Sequence, residues 1–480
     1  MDAKTEKILG IFEEINTIPR KSKNEEKISN WLVEWGKSHG FDVKQDKALN
    51  VCIPVPATAG RENDPTVILQ GHMDMVCEKT PDSPHDFSKD PIKHIIDGEW
   101  MHADKTTLGS DNGIGIAMAL ELATDDSISR PPLELLFTSD EETGLFGAKS
   151  IESDFISGKI LLNLDSEDEG VFTIGCAGGR DVEIKLNLNK ESPDTQGPCF
   201  KLSVDGLKGG HSGIDIQEPR ENANIVVARL LRYISKDVES IRLVDIAGGS
   251  AHNAIPRNAY VVVTVPASDQ GAFKDAFINA ASKLEKLAKP YDPEIKISIS
   301  EADAGKQPCT VEDTTKVISL LNALPHGVTR MSVDIEGLVE TSNNFATMGL
   351  ENGVLTVLSS QRSSIETQLE YIVSKVEAVG ELAGAAYVTN EGYPGWEPNP
   401  KSKILALCKN VYKELYGKEP HVEAIHAGLE CGLIGAKFDG MDMISFGPTL
   451  KNPHSPNEKL HLPSLPKVWA FIVELLKAIK

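Results

Sequence analysis

Four stretches of the chain end an apolar, strand-like run with a side chain able to bind metal: TVILQGHMD at His72 and Asp74, LELLFTSDEE at Glu141 and Glu142, KILLNLD at Asp165, and MISFGPTLKNPH at His454. Asp111, in LGSDNGIG, adds a further carboxylate. Two imidazoles among several carboxylates form the ligand inventory of a two-metal hydrolytic centre. Two divalent ions roughly 3.5–4 Å apart can share a water and lower its pKa towards about 7, which yields a nucleophile near neutrality.

Spacing assigns some of the work. His72 and Asp74 lie two apart, so on an extended strand end they point to one side, and the carboxylate can orient an imidazole that binds metal. Asp111 has two readings, a carboxylate pushed into a site by the glycine-rich turn or an N-cap for the helix GIGIAMAL. Glu141 and Glu142 are adjacent and diverge on extended backbone, so one can bind metal while the other reaches a water as general base. The acidic run there follows directly on an apolar strand, where burial and repulsion call for a cation. His454 lies in the loop NPHSPNE; His461, amid alternating apolar residues, reads as structural. The chain has no P-loop and no GxSxG nucleophile elbow, and its GHSG is no dinucleotide fingerprint.

The elements that must position these groups are legible as periodicities. Helical patterns at TEKILGIFEEINTI, NEEKISNWLVEWGKSHG and GIGIAMALELA alternate with strand-like runs, which predicts a mostly parallel mixed sheet covered by helices. In such sheets ligands collect beyond the carboxyl ends of the strands, where residues distant in sequence converge. After TIGCAGGRD the pattern changes to alternating strands and long helices, an α+β insertion, and TNEGYPGWEPNP reads as the return linker. The fold class is therefore α/β, with a discontinuous catalytic domain over 1–183 and 392–480 and an inserted α+β lid domain over 184–391.

Composition narrows the function classes. At 480 residues the chain exceeds what one core usually supports. A formal charge of −22 disfavours nucleic acid and anionic membrane as partners. No apolar run approaches the roughly 20 residues of a membrane span, and the charged start MDAKTEKILG has no apolar segment of the signal-peptide kind. Seven scattered cysteines without CxxC spacing predict reduced thiols and a cytoplasmic location.

Taken in order, GHMDMV, GSDNGIG, SDEETGLFGA, LDSE, GCAGG, GGHSG and PHSPNE resemble the M20 family of metallopeptidases, with the dipeptidase branch the nearest likeness, across almost the whole chain. The resemblance implies that Asp111 bridges two metals, most often zinc with cobalt or manganese as alternatives. His72 and Asp165 would complete one site, and Glu142 and His454 the other. It also implies that Asp74 orients His72, that Glu141 is the general base, that the Asp111–Asn112 peptide bond is cis, that His211 in KGGHSG stabilises the transition state, and that the protein is a homodimer.

A dipeptidase measures its substrate by gripping free termini. Arg362 in SSQRSS is the candidate for the substrate carboxylate, with Asn253 in SAHNAIP beside it in role, and Glu430 in HAGLECG is the candidate for the free amine. The expected activity is hydrolysis of unblocked dipeptides with broad specificity, including those ending in histidine. A related aminoacylase or deacetylase acting on N-acyl amino acids is the alternative, and a metal-binding scaffold without catalysis is a third reading that an intact Glu141 opposes.

Overall fold

A computed structural model describes residues 2–191, 197–303, 305 and 307–480. The chain forms two compact units, residues 1–176, 396–424 and 429–480 in one, and 177–395 and 425–428 in the other.

The first unit is built on an eight-stranded sheet. At its centre Leu133–Thr138, Val67–His72, Ile160–Asn163 and Asp442–Ser445 lie side by side and parallel. Every residue of Val67–His72 and Leu133–Thr138 is buried, which is why these segments read as unbroken apolar runs: a parallel strand is covered on both faces. Val51–Val55 pairs antiparallel with Leu133–Thr138, and Val171–Cys176 meets Asp442–Ser445 antiparallel on the other side, so the sheet is mixed, with a parallel core.

Helix Ser110–Thr124 is buried at nearly every position and packs against both helix Ala3–Ile15 and strand Val67–His72. That close approach depends on Gly71, because a Cβ there would lie 2.1 Å from Asn112 Oδ1. Asn112 in turn donates its side-chain amide to the Leu164 carbonyl at 2.7 Å, which fastens the start of the helix to the end of Ile160–Asn163. Helix Ala3–Ile15 is capped by Asp2, whose carboxylate accepts the Lys4 and Thr5 amides.

The second unit carries a nine-stranded sheet whose neighbouring strands pair antiparallel. Along Gly178–Asn187 and just beyond, buried Val182, Ile184, Leu186 and Leu188 alternate with exposed Lys185, Asn187 and Asn189, so one face is covered and the other is not. Helices Ala223–Asp237, Gln270–Ala288, Val311–Ala323 and Glu366–Leu382 contribute to the covering core. The segment read as a return linker is hydrogen-bonded: Tyr393 pairs with Gly179 in this unit, and Trp396 with Cys176 in the other. Among the described residues no helix is long and apolar enough to cross a membrane.

Candidate metal centre

The four central parallel strands end at the same edge of their sheet, and each is followed by one or two of the polar groups singled out in the sequence. His72 closes the first strand, and Glu141 and Glu142 come three and four residues after Thr138. Asp165 follows Asn163, and His454 lies in the loop beyond Ser445. Asp111 arrives from the first turn of Ser110–Thr124, where its φ of −85° and ψ of 109° are not helical, and the Asp111–Asn112 peptide bond is cis. Both oxygens of Asp111 face imidazole nitrogens and neither accepts an amide of the helix, so Asp111 does not serve as the cap that was the alternative reading.

The two imidazoles face opposite oxygens of one carboxylate. His72 Nε2 lies 3.0 Å from Asp111 Oδ1, and His454 Nε2 lies 3.1 Å from Asp111 Oδ2. Asp165 Oδ1 is 3.4 Å from His72 Nε2, and Glu142 Oε2 is 3.0 Å from His454 Nε2. Two groups of potential ligands result, His72 with Asp111 and Asp165, and Asp111 with Glu142 and His454; within each, the ligand atoms lie within 4.8 Å of one another. Glu141 joins His72 and Glu142 in a third such group.

Asp74 supports this arrangement from beneath. It is fully buried, its Oδ1 lies 3.3 Å from His72 Nδ1, and it accepts the backbone amides of Glu141 and Glu142 at 3.0 and 3.3 Å and the Ser22 hydroxyl at 2.8 Å. One carboxylate thus faces the imidazole ring and fixes the turn that presents both glutamates.

The donor set fits divalent cations. Glu142 Oε1 is buried without a hydrogen-bond partner, which in a protein interior calls for an ion or an ordered water. Burial pushes the Asp165 carboxyl up to about 7 and the Glu141 carboxyl well above the ordinary range, Asp165 and Glu142 adding repulsion at Glu141. Burial also opposes ionisation of Asp111, but the hydrogen bonds with His454 and His72 hold it below that range. His454, half exposed, is pushed up to about 11 by its hydrogen bonds with Asp111 and Glu142. His72 is raised too, despite burial, by Asp165, Asp111 and Asp74. Cations in the cluster would offset the carboxylates while leaving both imidazoles neutral.

Glu430 lies in the same unit, 1% exposed, with Oε2 accepting from Gln70 Nε2 and Thr138 Oγ1 at 2.6 Å each. Its Oε1 is buried without a partner, and burial pushes the carboxyl up to about 7. His461 is remote in role: its ring tilts against Trp100 with centroids 4.8 Å apart.

The remaining candidates belong to the second unit. His211 Nδ1 accepts the amides of Gly213 and Ile214, both at 3.2 Å, which makes Nε2 the proton-bearing nitrogen, and burial with the nearby Arg362 charge lowers its pKa. Asn253 is exposed; its carbonyl accepts the Ser212 amide, and its neighbour Ala254 is the strand partner of His211. Arg362 is 7% exposed, donates Nη1 to Tyr393 Oη at 2.8 Å, and has a buried Nε without a partner. His426, not singled out in the sequence, is buried in this unit with Nε2 2.7 Å from Ser342 Oγ and Nδ1 unpartnered, and is pushed down to about 3 by burial and then by the Arg362 charge. A lone histidine between a strand-like run and a helix start, in AIHAG, was the one signal available for it.

The sequence profile of peptidase family M20/M25/M40 matches residues 68–478. The chain is 40% identical to the cytosol non-specific dipeptidase of Escherichia coli (strain K12) over 469 residues, 98% of this chain and 96% of that one. Its structure is similar to that of aminoacylhistidine dipeptidase from Vibrio alginolyticus, with a TM-score of 0.90 at 42% identity, covering 98% and 96% of the two chains. Aminopeptidase PepT from Bacillus cereus shares the fold at 17% identity, with a TM-score of 0.62 over 99% of this chain and 98% of that one.

Proposed function

Because the chain belongs to peptidase family M20/M25/M40, we propose that it is a dipeptidase of broad specificity that hydrolyses unblocked dipeptides at a centre for two divalent metal ions. The observation that carries this reading is Asp111 with a different imidazole facing each of its oxygens, flanked by Asp165 on one side and Glu142 on the other. The names of the Escherichia coli and Vibrio alginolyticus relatives support the substrate class, and the first supports a cytosolic location.

Held by His72, Asp111, Asp165, Glu142 and His454, divalent ions, zinc in the first instance, would supply Lewis acidity and a lowered pKa for water. The chain's own groups do the rest. Glu141 takes a proton from the attacking water as its oxygen bonds to the peptide carbonyl carbon, and returns it to the nitrogen as the carbon–nitrogen bond breaks. Neutralised by cations, the cluster lets Glu141 ionise and serve as that base. His211, neutral with its proton on Nε2, is suited to donate to the developing oxyanion.

Recognition of both termini would restrict the enzyme to short substrates. Arg362 and Asn253 grip the carboxylate, and Glu430 compensates the free amine through its unpartnered oxygen. In this reading the second unit is a lid and dimerisation domain, and the protein is a homodimer.

The test is a panel of dipeptides and N-acetyl amino acids offered to the chelated and then metal-reconstituted protein. Dipeptides are expected to be cleaved, with turnover lost on chelation and regained with zinc, cobalt or manganese. Faster cleavage of the N-acetyl amino acids would favour an aminoacylase, and full turnover after verified metal removal would overturn the metal mechanism.

A further inference from the structure

The loop that delivers Asp111 is held by two buried charges. Leu108, Gly109 and Ser110 turn into the helix without an intrahelical partner for their amides. All three amides donate to the carboxylate of Glu458, at 2.7, 3.0 and 2.8 Å. The Ser110 hydroxyl adds a bond of 2.6 Å, and the Asp111 amide a longer one of 3.4 Å. Glu458 is 2% exposed, so its carboxylate has been taken out of water and these bonds replace the lost hydration.

Arg20, 1% exposed, holds the same loop from its carbonyl side. Its Nη2 donates to the Gly109 carbonyl at 2.5 Å and to Asn16 Oδ1 at 3.2 Å, while Asn16 Nδ2 donates to the Leu108 carbonyl at 2.9 Å. Its Nη1 reaches the Met73 and Asp74 carbonyls at 3.1 and 2.9 Å, just beyond His72. Glycine suits position 109, where φ is +71° and a Cβ would lie 2.4 Å from Arg20 Nη2.

Glu458 also stands four residues after His454, its amide accepted by the Ser455 carbonyl at 3.0 Å. Glu458 and Arg20 together therefore tie three segments into one frame: the end of strand Val67–His72, the loop of Asp111, and the loop of His454. A carboxylate shared between two cations must be placed to a fraction of an ångström, and one on an unheld loop would lose that placement.

We propose that Glu458 and Arg20 are positioning residues that preform the metal-bridging geometry of Asp111. The inference rests on the proposed role of Asp111 and adds the groups that set its position. In Glu458→Gln the side chain keeps its shape but turns an amide group towards the loop amides, so bonds on one side are lost.

The test measures zinc and manganese binding to the metal-free full chain by competition with a chromophoric chelator, at a temperature where circular dichroism shows each variant folded. Glu458→Gln is expected to bind about 10-fold or more weakly, with the KM for a dipeptide unchanged when metal saturates. A lowered melting temperature with metal affinity within twofold of the parent would make Glu458 a structural residue and overturn the proposal. Should Glu458→Gln fail to fold, Ser110→Ala decides, because it removes one bond: weaker metal binding supports the proposal and parental affinity overturns it. Asp111→Asn runs alongside. If that variant keeps both ions at parental affinity, the bridging assignment falls and this inference with it; if it loses them while Glu458→Gln does not, the positioning role alone falls.

Discussion

Glu141 and Glu142 are neighbours in the chain and differ in their surroundings. Glu142 faces His454 at 3.0 Å, whereas Glu141 is hemmed by His72, Asp165, Glu142 and Glu430, and burial disfavours its charge. That division suits one ligand and one base. Glu141→Gln is therefore expected to lower kcat by about 10²–10⁴-fold, the usual scale for a positioned acid–base group, with metal content and KM little changed. Steady-state kinetics with metal analysis on the same samples checks this, and a variant with parental turnover would remove Glu141 from the mechanism. The groups of this centre were legible because each closes a recognisable strand or turn: His72 and Asp74 follow an apolar run at a spacing of two, and His454 sits in a polar loop. Glu458, Arg20 and His426 were not singled out, since most of their partners are backbone groups or hydroxyls far along the chain. Arg20, in TIPRKSK, is indistinguishable in sequence from a surface cation.

At the scale of elements, the centre depends on how closely a helix can approach a strand end. Gly71 makes room for Asn112, and Asn112 fastens the first turn of Ser110–Thr124 to the Leu164 carbonyl. Gly71→Ala forces a methyl group into that space and is expected to destabilise the fold by about 1–3 kcal/mol, the usual range for overpacking a tight core. Because the displaced turn carries Asp111, metal affinity should fall as well. Urea unfolding with and without zinc separates the two effects, and unchanged values in both would show that the contact is slack. Elements of this kind were readable from hydrophobic period: parallel strands buried on both faces appear as unbroken apolar runs, and the antiparallel strands of the second unit as alternation. The contact of Gly71 with Asn112 was hidden because a glycine in a strand announces only that something comes near.

For the whole molecule, the charge balance of the centre links metal binding to stability. Without cations His454 is pushed up to about 11 and His72 is raised as well, whereas an unfolded imidazole titrates near about 6.5. The folded chain thus keeps protons that the unfolded chain releases, and the stability they contribute, complete below about 6.5, is lost as pH rises beyond that value. Histidines held low in the fold, such as His426 at about 3, act below about 6.5 with the opposite sign. Between about pH 7 and about pH 9 the chelated protein should therefore lose melting temperature. The metal-loaded protein, with neutral imidazoles as ligands, should lose less. Thermal melts of both forms across this range check the prediction, and parallel curves would refute it.

One further consequence concerns how such a chain is made. Strand Asp442–Ser445 sits inside its sheet, between Ile160–Asn163 and Val171–Cys176, two strands that lie close together in sequence. During synthesis those two emerge first and wait beside an open slot for a segment that leaves the ribosome long after them. Until it arrives each flank is an unpaired edge, the kind that recruits foreign strands, so an early-terminated polypeptide should be sticky and dependent on chaperones.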